Sequence, residues 1–162
     1  MEIAVISDTH MPRGARRLPA SCVARLRRAD LIVHAGDLVT LEVLSELQGY
    51  GRVVAVHGNA DDVTVRAALP AVAEVEADGA RIAVVHDGGP ARGRMGRLRT
   101  RFAHVDAVVF GHSHIALAEQ APDGFQIFNP GSPTERRRAS RHTMGIAHAS
   151  GGELSFQLIA LD

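Results

Sequence analysis

The first sixty residues alternate between short apolar runs and segments of helical periodicity. Residues 2–7, 30–36 and 52–59 are rich in β-branched and aliphatic side chains and run into Asp, Gly or Asn, which predicts three buried strands. Between them, residues 16–29 and 40–48 repeat apolar side chains at the three- or four-residue spacing of one helix face. This β-α-β-α-β order is typical of an α/β unit with parallel strands.

Beyond residue 70 the pattern changes to short strands in pairs. Asp78-Gly79 and Gly151-Gly152 each lie between two apolar runs and indicate tight hairpins, while the basic residues 93–102 are predicted as a helix. A parallel core with antiparallel additions, in a single domain spanning residues 1–162, is therefore predicted. The strands expected in this half are residues 71–77, 81–86, 106–111, 115–120, 125–131, 143–149 and 153–161.

Composition excludes several classes of function. With 46% hydrophobic and 22% charged residues the chain is an ordinary globular sequence, and its net charge of zero gives no indication of nucleic acid or of a membrane as partner. All 18 basic residues are arginine, which excludes reactions that need a Walker or Schiff-base lysine. Cys22 is the single cysteine, and no apolar run approaches the roughly 18 residues of a membrane span, so we expect a cytoplasmic protein.

Metal-competent side chains follow five of the predicted strands. Ligands of open α/β sheets bind beyond the carboxyl ends of the strands, so these side chains are expected to gather at one edge. Any one of them alone is an ordinary loop residue, but their coincidence favours a binding site. They are Asp8, His10, Asp37, Asn59, His86, His112 and His114.

The donor types restrict the ligand. Three oxygen donors and four imidazoles without a thiolate suit manganese, iron or zinc. Seven donors exceed one tetrahedral zinc ion and suit two ions of higher coordination number that share a carboxylate. Such an ion pair polarises a phosphoryl group and lowers the pKa of a bridging water, which is the two-metal route to hydrolysis.

The order of the motifs resembles that of a known family. SDTH, GD, GN followed by Asp, a His that closes a later strand, and GHSH occur here as in the calcineurin-like metallophosphoesterases. The small size and NPGS at residues 129–132 resemble the compact bacterial and archaeal phosphodiesterase branch of that family. The resemblance implies an α/β fold, a four-layer α/β/β/α sandwich with two mixed β-sheets and a dinuclear site at their carboxyl edge.

The resemblance also implies roles for the seven residues. One divalent ion would be held by Asp8, His10 and His114, and the other by Asn59, His86 and His112, with Asp37 bridging both. A hydroxide that bridges the ions would attack phosphorus, with Asp37, Asn59 and His112 taking part in catalysis. Manganese is the expected metal, with iron, zinc, nickel or magnesium as alternatives. The expected partner is a small-molecule phosphate ester, without a membrane, and self-association into a homo-oligomer is left open.

Two positions depart from the family pattern. Ala60 stands where larger members carry a histidine that assists the leaving group, and Asp61 matches the acidic residue that orients that histidine. Without this acid we expect a preference for good leaving groups, such as those of aryl phosphodiesters. Asp87 follows His86 where many compact members have glycine, and is either a partner of an imidazole or a loop residue.

Other polar residues and other functions are weighed beside this hypothesis. His34 is expected to be a packed or supporting histidine, and His57 is considered as a substitute acid. The arginine-rich residues 134–142 either recognise a phosphate or form a solvated loop. The alternative functions are a phosphomonoesterase or nucleotidase, and a non-catalytic scaffold such as the retromer subunit of this family, against which the intact set of seven donors argues.

Overall fold

Two five-stranded sheets form the body of the computed structural model, which describes residues 1–162. The helices are α1 (Ala20–Leu26), α2 (Leu41–Gln48), α3 (Val63–Ala68) and α4 (Arg94–Arg101), with a 3₁₀ turn at Arg13–Ala15. The strands are β1 (Glu2–Ile6), β2 (Leu31–His34), β3 (Val53–Ala55), β4 (Val72–Ala77), β5 (Ala80–Val85), β6 (Ala107–Val109), β7 (Leu117–Gln120), β8 (Gln126–Asn129), β9 (Thr143–Ser150) and β10 (Glu153–Ala160).

Both sheets are mixed. The first has the order β10-β9-β1-β2-β3, with β1, β2 and β3 parallel and the β9–β10 hairpin added antiparallel to β1. The second has the order β4-β5-β6-β8-β7, in which β5, β6 and β8 are parallel and β4 and β7 are antiparallel edge strands. The predicted parallel core with antiparallel additions is confirmed.

Three hydrophobic clusters separate four layers. Alternate residues of β1 point to opposite faces, so Ile3 and Val5 join the cluster between the two sheets while Ala4 and Ile6 face α1, α2 and α3. A third cluster packs Leu98 of α4 against the outer face of the second sheet. Helix, sheet, sheet and helix layers therefore follow one another, which confirms the α/β/β/α sandwich.

The helices differ from the predicted ones in two places. The predicted helix over residues 16–29 is shorter, because Pro19 has extended backbone angles and α1 begins after it. Helix α3 was not predicted; its six residues follow the N-cap Asp62, whose carboxylate accepts a hydrogen bond from the Val65 amide. No helix has the length and apolar character needed to cross a membrane.

Candidate metal centre

The loops at the carboxyl ends of the parallel strands hold the predicted site residues in an unusual backbone conformation. Five of these seven residues have positive φ, between 46° and 68°, although none is glycine. Such angles are unfavourable for residues with a Cβ and collect at functional sites, where the surrounding structure enforces them. The five residues are Asp8, His10, Asp37, His112 and His114.

One group of donors forms around Asp8. The Nε2 atoms of His10 and His114 lie 3.3 Å apart, and they lie 3.8 Å and 3.4 Å from Oδ1 of Asp8. All three residues are buried. Their ligand atoms are close enough to one another to share a single cation.

A second group forms around Asn59. Its Oδ1 lies 3.0 Å from Nε2 of His86 and 3.0 Å from Nδ1 of His112. Oδ2 of Asp37 lies 3.3 Å from Nε2 of His86 and 3.4 Å from Nε2 of His10, so this carboxylate stands between the two groups. The structure therefore brings all seven predicted residues together in two adjoining groups.

The hydrogen bonds behind the rings aim lone pairs into these groups. Nδ1 of His114 lies 2.7 Å from the carbonyl of Glu135, and Nδ1 of His86 lies 2.7 Å from the carbonyl of Ala35. Each Nδ1 must carry a hydrogen to donate to its carbonyl, which leaves Nε2 of a neutral ring as an acceptor facing carboxylates.

This arrangement fits a bound cation. Oδ1 of Asp8 is the one buried side-chain polar atom without a hydrogen-bond partner, and it points at the His10–His114 pair. A divalent cation would satisfy this oxygen together with the Nε2 lone pair of neutral His114.

The pKa values describe the same electrostatics in the metal-free protein. Burial by itself lowers the pKa of His86, but the hydrogen bond and charge of Asp37 and the charge of Asp8 outweigh it and raise that pKa to about 9. Burial opposes the charge of Asp37, yet the contact with His86 holds its pKa at about 2. The Asp37 carboxylate and the His86 imidazole therefore stabilise each other's charged forms.

Asp61 supports the site through the backbone. Its buried carboxylate accepts hydrogen bonds from the amides of Asp37 (3.1 Å), Val39 (2.6 Å) and Gly58 (2.6 Å), and thereby joins the loops after β2 and β3. A Cβ on Gly58 would overlap the Asp37 side chain, so only glycine permits this approach. Asp61, whose role the sequence leaves open, therefore holds Asp37 in place.

Glu135 lies beside the site, although it is not among the site residues predicted from the sequence. Its Oε2 lies 3.7 Å from Nε2 of His10, and its Oε1 accepts a 2.9 Å hydrogen bond from Arg16. The hydroxyl of Ser132 donates to the carbonyl of Asp8 and accepts from the Glu135 amide, which docks this turn beside the site. The motif NPGS, which ends at Ser132, is the sequence signal nearest to Glu135. The backbone after it is irregular, so the motif does not predict where Glu135 lies.

The other singled-out histidines and Asp87 lie around the site. His34 is fully buried between the Thr9 hydroxyl and the Gly36 amide, as expected for a packed histidine, and burial lowers its pKa to about 3. Asp87 is exposed and accepts from the Gly89 amide, which identifies it as a loop residue. His57 lines a cavity beside the centre.

Two cavities adjoin the centre, and Asn59 lines both. The first, about 730 Å³, extends from His10 past Ala60. Its other lining residues include three arginines and three carboxylates, namely Arg13, Arg16, Arg137, Asp61, Asp62 and Glu135. The second, about 370 Å³, extends from His86 and His112. Of the arginines within residues 134–142, Arg137 alone lines the first cavity, and Arg136 instead donates to the carbonyl of Ser140.

A two-sheet α/β sandwich with carboxylates and imidazoles clustered at one edge indicates a metal-binding protein. Comparison with known proteins identifies its family. The chain belongs to the calcineurin-like phosphoesterase superfamily, whose domain model matches residues 1–152. It is 36% identical over 151 residues to a probable metallophosphoesterase of Methanocaldococcus jannaschii, covering 91% of this chain and 76% of that protein. Membership of this family implies a metal-dependent phosphoric ester hydrolase.

Solved structures share the fold at lower identity. Vps29 of Entamoeba histolytica, crystallised as a complex with Zn²⁺, superposes with a TM-score of 0.79 at 18% identity over the whole of both chains. A structure described as a novel archaeal phosphodiesterase gives a TM-score of 0.74 at 21% identity, covering 98% of this chain and all of that one. These likenesses confirm the fold.

Proposed function

We propose that this protein is a phosphodiesterase that binds two divalent cations and hydrolyses small-molecule phosphate diesters. In this proposal Asp8, His10 and His114 hold one cation, and the Asn59 group holds the other, with Asp37 shared between them. The buried, unpartnered Oδ1 of Asp8 and the Nε2 lone pair of His114 beside it support the first position. The 3.3–3.4 Å distances from Asp37 to an imidazole of each group support the shared role.

The observation that carries the choice of a diester is the pair of cavities that meet at Asn59. Each donor group opens into its own cavity, the first beside His10 and the second beside His86 and His112. A phosphorus atom placed at the centre has room for an ester arm on each side. A phosphomonoester would leave one cavity without a substituent.

The chain itself orients the phosphate and keeps the donors in place. Bound cations would polarise the phosphoryl oxygens and lower the pKa of a coordinated water. Oδ1 of Asn59 faces two imidazoles, which leaves its Nδ2 group free to donate to a phosphate oxygen. Asp61 holds the Asp37 backbone, and the carbonyls of Ala35 and Glu135 fix the rings of His86 and His114.

Ala60 shapes the expected substrate range. Its methyl side chain lines the first cavity and supplies no proton to a departing alkoxide. Esters whose leaving group is stable as an anion, such as aryl phosphodiesters, are therefore expected to react fastest. The test is the dependence of kcat/KM on leaving-group pKa; a steep fall with rising pKa is expected, and a flat dependence would contradict this point.

The activity itself is tested by screening the protein against phosphodiesters and phosphomonoesters with manganese, zinc, iron, nickel or magnesium. We expect diesters to be preferred, manganese to support the highest rate, and Asp37→Asn to be inactive. A preference for monoesters would favour a phosphatase or nucleotidase. Less than one metal ion per chain, together with no hydrolysis, would favour the scaffold function.

A further inference from the structure

We propose that the first cavity is a subsite for an anionic group, so that the preferred diesters carry a second phosphate or a carboxylate on one arm. This inference rests on the proposed phosphodiesterase function and names its substrate class. Three guanidinium groups from two distant segments of the chain, the turn after β1 and the loop between β8 and β9, line this cavity. They belong to Arg13, Arg16 and Arg137.

Two of these guanidinium groups have donors to spare. Arg13 is exposed and makes one side-chain hydrogen bond, 3.3 Å long, to the carbonyl of Ala60. Arg137 is half-exposed, and its nearest charged partner is Glu135, at 3.8 Å from Nε. Because a guanidinium carries five N–H donors, both side chains retain unused donors toward the cavity. Arg16 is already engaged, at 2.9 Å from Glu135 and 2.8 Å from the carbonyl of Arg13.

The three carboxylates of the cavity all have partners within the protein, and Asp62 alone among them is exposed. Asp61 is buried and accepts three backbone N–H groups. Asp62 caps α3 and accepts from the Thr64 hydroxyl and the Val65 amide. Glu135 is paired with Arg16. The formal charges of the lining residues balance, but Asp61 is buried and Glu135 is paired with Arg16. Arg13, Arg137 and the exposed Asp62 are therefore the charged groups left to meet a ligand, and the two arginines outnumber the one carboxylate.

The second cavity is smaller, and its two arginines are positioned by other contacts. Arg66 donates to the carbonyls of Asn59 and Asp61, and the guanidinium of Arg101 lies over the Phe102 ring at 4.8 Å. Asp87, which is exposed, adds a negative charge there. Both volumes lie within the roughly 300–1,000 Å³ typical of small-molecule sites, but the first cavity, at about 730 Å³ against about 370 Å³, has more room for a substituted arm. The anionic arm is assigned to the first cavity.

Phosphate and carboxylate share the planar oxygen pairs that a guanidinium binds through two parallel N–H groups. The test therefore uses three 4-nitrophenyl phosphodiesters that differ only at the end of a propyl arm, which carries a phosphate, a carboxylate or a hydroxyl group. The manganese-loaded protein is assayed for kcat/KM with each ester, at low and high ionic strength. We expect an anionic arm to raise kcat/KM by about tenfold, mainly through a lower KM, and salt to reduce this preference.

Variants locate the effect. Arg13→Gln and Arg137→Gln should each lower the anionic-to-neutral ratio by about threefold or more, and the lysine replacements should retain part of it. Arg138→Gln is the matched control, because Arg138 is exposed in the same segment and lies outside the cavity lining. It should keep the wild-type ratio.

The outcomes separate the two proposals. Hydrolysis of all three esters at similar kcat/KM would overturn the subsite and leave the phosphodiesterase function standing. A tenfold preference that survives in the Arg13→Gln/Arg137→Gln double variant would also overturn the subsite. No hydrolysis of any diester with any metal would overturn the phosphodiesterase function and the subsite that rests on it. A preference for the phosphate arm alone would support the subsite and assign it to phosphate.

Discussion

Asp61 and Asp62 are neighbours with the same side chain and very different surroundings. Replacing Asp61 by alanine would leave the buried amides of Asp37, Val39 and Gly58 without their acceptor. At about 1–3 kcal/mol for each such group, and allowing for water entering the space, we expect a loss of about 4 kcal/mol in the free energy of unfolding. Replacing Asp62 removes one exposed helix cap and should cost about 1 kcal/mol.

The assay is urea unfolding of metal-free protein in a chelating buffer, so that metal binding does not contribute to stability. With a slope of about 2 kcal/mol per molar urea, the midpoint should fall by about 2 M for Asp61→Ala and by about 0.5 M for Asp62→Ala. Asp61→Asn should lie between them, because its amide oxygen still accepts while its NH₂ group faces a donor. Equal midpoints for the two alanine variants would refute the assignment of Asp61 as the support of Asp37.

Three further predictions concern pH, close packing and metal binding. The pKa of His34 is about 3 in the folded protein and about 6.5 in the unfolded chain, so its contribution to stability is present above pH 6.5 and is about 2 kcal/mol smaller at pH 5. In urea titrations at pH 7 and pH 5, His34→Gln should therefore lose less stability on acidification than the wild type. An equal loss would contradict this. Gly111→Ala should lower the melting temperature by several degrees, since its Cβ would overlap Ser7 and Asp8. Gly96→Ala, in open space on α4, should be neutral or stabilising by about 1 kcal/mol. Similar effects of the two substitutions would disprove the packing argument. Manganese at a hundred times its dissociation constant should stabilise the wild-type protein by about 2.7 kcal/mol in thermal unfolding, and chelation should reverse this. Asp37→Asn should gain little stability from manganese. An unchanged melting temperature of the wild type would count against a metal site.

Much of the fold could be predicted from local patterns. Strands such as Glu2–Ile6 and Leu31–His34 are short β-branched runs, and the Asp78-Gly79 turn joins β4 to β5 as expected. The gathering of the seven polar residues was also predictable, because parallel strands bring their carboxyl ends to one edge whatever the loops do. The start of α1 after Pro19 was not anticipated. The short helix α3 was not predicted either, since six residues carry too little periodicity to identify a helix.

The amino-acid sequence by itself determined the succession of strands along the chain and the identities of the donors. The alternation of apolar and polar residues, strand propensity and turn chemistry all act over a few residues. Tertiary structure alone decided how those donors are aimed and what surrounds them. Irregular loops, held by contacts between distant parts of the chain, give Asp8 and His114 their positive φ. The same loops bring Glu135 close to His10 and place Arg137 beside the centre. The bond from Ser132 to the Asp8 carbonyl spans 124 residues, and no local pattern encodes a contact of that range.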